Sequence, residues 1–531
     1  MRVLVISFFN SWLTHFGTEL EIAQRHLDDG DTLEFLGCNG CVAICDGNPW
    51  ASSSHCDACR EKRHNGLLRL RPVPVQHNLG RYLSTDFLSR ETDAVRSVVD
   101  ANAAKIYTIN GHDLGWAALS SSINATRDPE CTSDEAVKLL REFTKSAYRS
   151  YHAVLNFLGQ QSRFDRVYIF NGRFAPTRGA LRACQEFGVS DIQIHERGST
   201  IESYELFGNS LPHKHELWDR RIKDAWDSAP DMQMRDSIGK QFFEYSRVGT
   251  PVGWKSYITG QSLGQLPDGW DRNKTNIAIY NSSEDEFAGL GDEWKNPVYE
   301  IQSQGIERIV SESLTRYPKM HFYLRVHPNL TNVQNSDLTR LLNFQSPNFT
   351  VILPDSPVST YSLMDAADKV LSFGSTVGIE ATYWGKVSIL AGRCFYENLD
   401  AVHVANSHAE VMSLLAQDLL PCSRTNALKY GHYMRTFGYP FKYWEPSGFE
   451  AGTFRGFPIG ETRMTPQERE FIFWLQDHGI DTRYVPSFLR ISVLHAKASM
   501  AGVQRSIAVS RSWVRHKVLW PTIRLFRRIV R

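Results

Sequence analysis

The chain has 531 residues, 42% of them apolar and 12% aromatic, with a formal net charge of +1. That is enough for two or three domains with sizeable cores, and no run of about eighteen apolar residues is present to span a membrane. The charge is uneven: no acidic residue follows Asp481, while eleven Lys or Arg fall between Arg483 and Arg531, so a mildly acidic body ends in a basic tail.

The start, "MRVLVISFFNSW", is apolar but short and has no small-residue cleavage site, so it reads as a buried first strand and not as a signal peptide. A cytoplasmic, reducing setting is expected for the nine cysteines. In chain order, β-rich runs follow at 2–9, 32–37, 105–109, 166–173 and 191–198. A long helix is expected over 133–159, with Ser133 as its N-cap. Residues 205–273, rich in aromatic and polar side chains, read as a mainly helical connector. A second series of strands is expected at 276–283, 321–328, 349–355, 369–375 and 387–392. Near-continuous apolar strands alternating with helices imply parallel sheets covered on both faces. The expected class is α/β, with two doubly wound, Rossmann-like domains facing a cleft. They would occupy 1–204 and 274–450, with a helical extension over 451–531.

Ligands of such sheets bind beyond the carboxyl ends of the strands, and most candidate residues fall there. In "FYLRVHPNL", Arg325 and His327 share a strand face, and Pro328 ends the ladder just after them. Guanidinium and imidazole at a strand end suit a phosphate-bearing ligand. In "SFGSTVGIEATYWGK", Gly374 permits a tight turn, Ser375 and Thr376 offer hydroxyls and backbone N–H groups, and Glu380 lies on the same helix face as Thr376. A capped core helix would use the same residues. In "IYNSSEDE", Asn281, Ser282 and Ser283 end a third strand, or serve as an ordinary N-cap.

The run "LRVHPNL", then "DSPVSTYSLMDAADKVLSFGSTVGIEATYWGKVSILAG", resembles the carboxyl-terminal half of GT-B glycosyltransferases of bacterial surface and capsular polysaccharide synthesis. Val387 stands where that pattern usually has Pro. The resemblance implies a nucleotide-sugar donor held by the second domain. Ser375 and Thr376 would contact phosphate, Glu380 the ribose, and His327 would lie near the leaving phosphate. It also implies catalysis without a bound divalent ion, and Asp29-Gly-Asp31 reads only as a turn before a strand.

The first half is then expected to hold a glycan or lipid-linked acceptor. Its strand ends carry Asn171, Gly172 and Arg173, then His195, Glu196 and Arg197. The first strand–helix junction carries His15, Gly17 and Glu19. Inverting transfer needs a base for the acceptor hydroxyl proton: Glu196 is the first candidate and His15 or Glu19 the second. A structural ion pair between Glu196 and Arg197 or Arg173 is the competing reading. A nucleotide-sugar epimerase or hydrolase of the same architecture, or a non-catalytic polysaccharide-binding or export partner, remain the rival functions.

"CNGCVAICDGNPWASSSHCDAC" holds Cys38, Cys41, Cys45, Cys56 and Cys59. Cys56-x-x-Cys59 is half of a structural zinc site, and Cys38 with Cys45 could supply the rest, or Cys41 with Cys45. Free thiols, disulfides and an iron–sulfur cluster are the alternatives. The tail "SRSWVRHKVLWPTIRLFRRIVR" mixes cations with bulky apolar residues, as segments that lie on anionic membrane surfaces do. A helix packed on its own domain is the plainer reading, and no motif for nucleic acid accompanies it.

Overall fold

The computed structural model describes residues 1–250, 257–448, 450–480 and 482. The first sheet is built from β1 (Arg2–Ser7), β2 (Thr32–Gly37), β3 (Val75–Asn78), β4 (Arg166–Phe170), β5 (Ile192–Arg197) and β6 (Ser203–Gly208). Their spatial order is β6-β5-β4-β1-β2-β3, parallel except for β6. The core of β1, from Val3 to Ile6, is buried throughout. Helices cover both faces, so neither face needs polar side chains.

One expectation changes here. Residues 105–109 are not a strand: Lys105 and Ile106 end a helix, Ala101–Ile106. The Asp100 carboxylate caps it by accepting from the Ala103 N–H at 2.7 Å, and an alanine-rich run favours helix. The edge strand is β3 instead. The long helix forms as expected, over Asp134–Gly159, with the Ser133 hydroxyl accepting from the Ala136 N–H.

The second sheet contains β7 (Thr275–Tyr280), β8 (Met320–Arg325), β9 (Phe349–Ile352), β10 (Lys369–Ser372), β11 (Val387–Leu390) and β12 (His403–Val404). The order is β9-β8-β7-β10-β11-β12, and every pair is parallel. Strand order reverses between β1 and β4 in one sheet and between β7 and β10 in the other. Each reversal opens a crevice at the carboxyl ends of its strands. The chain therefore has the expected α/β class with two doubly wound, GT-B-like sheets.

The domain edges differ from those expected. Residues 205–208 belong to β6, so the helical connector begins after them, with His215–Asp227 and Met232–Val248. After the second sheet the chain returns to the first domain. There β13 (Tyr439–Pro440) pairs antiparallel with β6. β14 (Trp444–Gly448), β15 (Ala451–Phe454) and β16 (Phe457–Pro458) form a small antiparallel sheet. It packs on the helix Leu13–Asp28, where the buried Glu21 carboxylate accepts from the N–H groups of Lys442, Tyr443 and Trp444 at 2.6–3.0 Å. Residues 451–458 are thus strands, not part of a helical extension.

Residues 1–461 form one unit and 462–531 another. The described part of the latter holds the helix Pro466–Asp477, started by a capping box of Thr465 and Glu468. The basic tail, 483–531, lies outside the described residues. Among the described residues no helix is long and apolar enough to cross a membrane.

Candidate active site

A cleft of about 260 Å³ opens at the switch point of the first sheet, lined by Trp12, Thr14, His15, Phe170, Asn171, Phe174, Glu196, Arg197 and Glu450. β1 ends in a tight turn, with the Trp12 N–H donating to the Phe9 carbonyl at 2.8 Å. The turn delivers Trp12 and His15 to the crevice. Phe170 and Phe174 follow from the end of β4, and the His15 ring lies 3.8 Å from that of Phe170. Trp12 meets Phe170 and Phe174 edge-on. The result is an apolar wall beside a few polar groups, the usual make-up of a ligand pocket.

Glu196 ends β5. Its Oε1 accepts from Asn171 Nδ2 and its Oε2 from the Arg197 N–H at 3.3 Å. Asn171 is fixed in turn: its φ is +55°, and its Oδ1 accepts from the Arg173 N–H at 3.0 Å. Burial raises the Glu196 pKa, against the pull of the Asn171 bond and of Arg197. Burial, with His195 and Arg197 nearby, pushes His15 far below its ordinary value, so its imidazole is neutral. Its Nδ1 is buried without a hydrogen-bond partner. Burial thus makes Glu196 the stronger base of the cleft and leaves His15 a neutral, weakly basic ring.

Gly17 and Glu19 stand elsewhere. A Cβ on Gly17 would lie 2.4 Å from two ring atoms of Trp444, so this glycine lets the indole pack against the helix. Glu19 is 2% exposed. It accepts from the Ser7 hydroxyl, while His195 approaches at 3.8 Å, too far for a hydrogen bond. It buttresses the crevice from behind.

Arg173 follows the end of β4. Its guanidinium rests 4.7 Å from the centre of the Phe174 ring, and its Nε is buried without a partner. Burial lowers its pKa, against the charges of Asp46, Glu196, Glu286 and Asp285, the last two from the short helix Glu284–Ala288 after β7. Arg178, by contrast, is tied to Asp113 at 2.9 Å. Arg127 pairs with Asp285 and donates to the Ser283 hydroxyl at 2.9 Å. Trp294 donates to the His213 carbonyl at 2.8 Å. These contacts tie the segment after β7 to the first domain.

On the far side, three strand ends are stitched together. The Ser282 hydroxyl donates to the Phe373 carbonyl at 2.9 Å, joining β7 to β10. The His327 N–H donates to Asn281 Oδ1 at 2.9 Å, joining β8 to β7. His327 Nδ1 accepts from the Asn329 N–H at 3.1 Å, which leaves the imidazole proton on Nε2. Burial holds its pKa down at about 4, so the ring is a neutral donor. Gly374 has a φ of +109°, and a Cβ there would lie 2.7 Å from the Arg393 carbonyl and 3.6 Å from the Ser282 hydroxyl. Only glycine suits that turn. Ser375 and Thr376 follow it.

Several expected donor contacts are engaged internally. Arg325, 2% exposed, does not share the crevice with His327: its guanidinium donates to the carbonyls of Leu353, Val326 and Ser356, closing the loop after β9. Ser283 donates to Asp285 at 2.6 Å. Glu380, 4% exposed, accepts from the Tyr361 hydroxyl and from Thr376.

Sequence reasoning passed over Trp12, Phe170, Phe174 and Glu450. The aromatics carried no signal beyond ordinary core residues. Glu450 sits in the turn between β14 and β15, more than 250 residues from Glu196 in sequence, and nothing local marks it.

The cysteine-rich loop leaves the end of β2. The Cys38 Sγ accepts from the Gly40 N–H at 3.4 Å, and the Cys56 Sγ from Asn48 Nδ2 at 3.3 Å. All nine cysteines are free. Among the described residues no three His, Cys, Asp or Glu side chains stand in ligating contact, so Cys38, Cys45, Cys56 and Cys59 are gathered but not converged.

No protein-family model matches the chain, and no curated protein is significantly similar to it. Among solved structures it is similar to the KpsC beta-Kdo 2,4 transferase of Thermosulfurimonas dismutans, at 12% identity and a TM-score of 0.35 over 50% of this chain and 79% of that one. It is similar to a UDP-GlcNAc 2-epimerase from Neisseria meningitidis bound to UDP-GlcNAc, at 10% identity and 0.25 over 81% and 98%. It is also similar to Arabidopsis thaliana UGT89C1 complexed with UDP, at 12% identity and 0.27 over 81% and 93%. Likeness at this level leaves the functional reading to the chain's own residues.

Proposed function

We propose that the protein is a glycosyltransferase that moves a sugar from a nucleotide-activated donor to a glycan or lipid-linked acceptor, with the nucleotide at the second sheet and the acceptor in the cleft of the first. The observation that carries this reading is the joining of three strand ends of the second sheet around His327, whose neutral Nε2–H is left as a donor beside the Gly374 turn.

In the proposed reaction the acceptor hydroxyl attacks the anomeric carbon as the bond from that carbon to the phosphate oxygen breaks. Glu196 takes the hydroxyl proton, with His15 as the second candidate. The electron pair of the broken bond leaves on the phosphate. There the Nε2–H of His327, the Ser375 and Thr376 turn and the Arg173 guanidinium meet the developing charge. No step needs a metal ion. Ser282 and Ser283 would support the turn and not touch the nucleotide. Glu380 would reach a ribose hydroxyl only by sharing its carboxylate with Tyr361. The aromatic wall of Trp12, Phe170 and Phe174 would seat the acceptor. Between 483 and 531 the basic sequence, mixed with bulky apolar residues, would attach the protein to an anionic membrane surface; flotation with anionic liposomes should fail for a chain ending near 482.

The deciding experiment is calorimetry with UDP, CMP and GDP, followed by a panel of donor sugars incubated with and without acceptor. Nucleotide binding with acceptor-dependent sugar transfer supports the proposal. Turnover without acceptor would replace it with an epimerase or hydrolase, and no nucleotide binding would leave a non-catalytic role.

A further inference from the structure

We propose that Trp50 is a stacking platform for a further sugar of the acceptor, which makes the acceptor an extended glycan. The inference rests on reading the cleft of the first sheet as an acceptor site and carries that site outward onto the loop that leaves β2.

The backbone that displays Trp50 is fixed on both sides. The Asn48 N–H donates to the Cys45 carbonyl at 2.7 Å, and the Cys45 N–H returns to the Asn48 carbonyl at 3.4 Å. The Asn48 side chain donates to the Ser52 carbonyl at 2.8 Å and accepts from the Ser52 N–H at 2.9 Å, which brackets Trp50. Ala51, next to it, is held at a φ of +54°, a conformation that persists only where the surroundings over-determine it. Upstream, the Ser121 hydroxyl donates to the buried Asp46 at 2.9 Å. The Ser146 hydroxyl accepts from the Ile44 N–H at 2.9 Å and donates to its carbonyl at 2.6 Å. On this anchored turn Trp50 is 62% exposed, against 38% for Trp474, the next most exposed tryptophan among the described residues. An indole left in water adds little to the core, so the bonds around it hold up a surface.

Position indicates what that surface meets. Gly47 packs on the turn after β1: a Cβ there would lie 3.2 Å from the Ser11 hydroxyl, 3.7 Å from Phe9 and 3.8 Å from Trp12 Nε1. His55 reaches the Ser11 hydroxyl at 3.2 Å. From Gly47 to Trp50 the chain can span at most about 11 Å, so Trp50 stands beside the cleft that Trp12 lines. The C–H face of a pyranose lies flat on an aromatic ring while its hydroxyls stay in water, and a ring on a preset backbone loses little freedom on binding. One sugar among Trp12, Phe170 and Phe174, and a later one on Trp50, give the acceptor two aromatic contacts. The exposed residues that follow, Ala51 to Ser54, are small and include neither the cations nor the bulky apolar groups with which a segment enters a lipid surface.

Calorimetry of the full chain without donor tests the proposal, with a panel of methyl glycosides and of oligosaccharides that extend the same sugars. The parent should bind the oligosaccharides more tightly than the glycosides. Trp50→Ala should erase that gain, a loss of about tenfold, with the melting temperature held, and Trp50→Phe should restore most of it. Equal affinities of parent and Trp50→Ala along the whole panel would overturn the proposal. So would a loss confined to flotation with anionic liposomes, which would make Trp50 a membrane contact. Length-dependent binding that Trp50→Ala loses, in a protein that transfers no sugar, would support this site and sink only the transferase reading. A parent that binds no glycan overturns both.

Discussion

Replacing Glu196 by Gln isolates the proton-transfer role. Both carboxylate oxygens already accept a hydrogen bond, from Asn171 and from the Arg197 N–H at 3.3 Å. The amide can keep the first through its oxygen and must give up the second. One weak, partly exposed bond costs about 1 kcal/mol, so the fold should survive. Loss of a general base costs roughly 10²–10⁴ in rate, or about 3–5 kcal/mol of barrier. Turnover and stability should therefore part company: kcat/KM for the acceptor falls by at least about 100-fold, with nucleotide affinity held. The pH profile gives a second readout. Burial raises the Glu196 pKa, so the acid limb of kcat/KM should lie above the ordinary glutamate range and vanish in Glu196→Gln. The sign for stability follows from the same shift. A raised pKa favours the folded state below the ordinary glutamate range, and that contribution is lost as pH rises through the raised value. The stability cost of the variant should shrink with rising pH. A variant within about threefold of the parent in turnover, or one that keeps the acid limb, would refute the base assignment.

His327→Ala should weaken nucleotide-sugar binding by about tenfold, the worth of one hydrogen bond to a charged oxygen. Because His327 stays neutral down to about 4, calorimetry should show no step from this histidine between about pH 5 and 8. Glu380→Ala strands the Tyr361 hydroxyl and should cost about 1–3 kcal/mol in urea unfolding. Glu380→Gln keeps an acceptor for Tyr361, so any ribose contact should then emerge as lost nucleotide affinity in a stable protein. Gly17→Ala drives a methyl into the Trp444 ring and should destabilise by about 1–3 kcal/mol. Acceptor turnover lost without loss of stability would instead make Gly17 an acceptor contact.

Strands with apolar runs between turn residues were legible in the sequence, because a strand buried on both faces has little freedom in composition. β2 and the long helix fall within a residue of their expected bounds. The helix Ala101–Ile106 was not, since a cap and a few alanines outweigh the β-branched residues around them. β13 to β16 were missed for another reason: β13 pairs with β6, more than 200 residues earlier, and β14 to β16, which pair with one another, rest on the helix Leu13–Asp28; short strands gain their stability from such packing. In the site, polar residues at strand ends were visible as candidates. Whether each faces ligand or protein was not. Arg325 shows why: the carbonyls it satisfies belong to a loop some 28 residues downstream.

The return of residues 439–458 to the first sheet makes the two halves interlaced and not strung like beads. The polypeptide passes from the first half to the second and back again. No single cut frees an intact amino-terminal half: a fragment ending at 208 would bare the edge of β6 and leave Gly17 without its indole. With two crossings between them, the halves part only when the chain is cut in both.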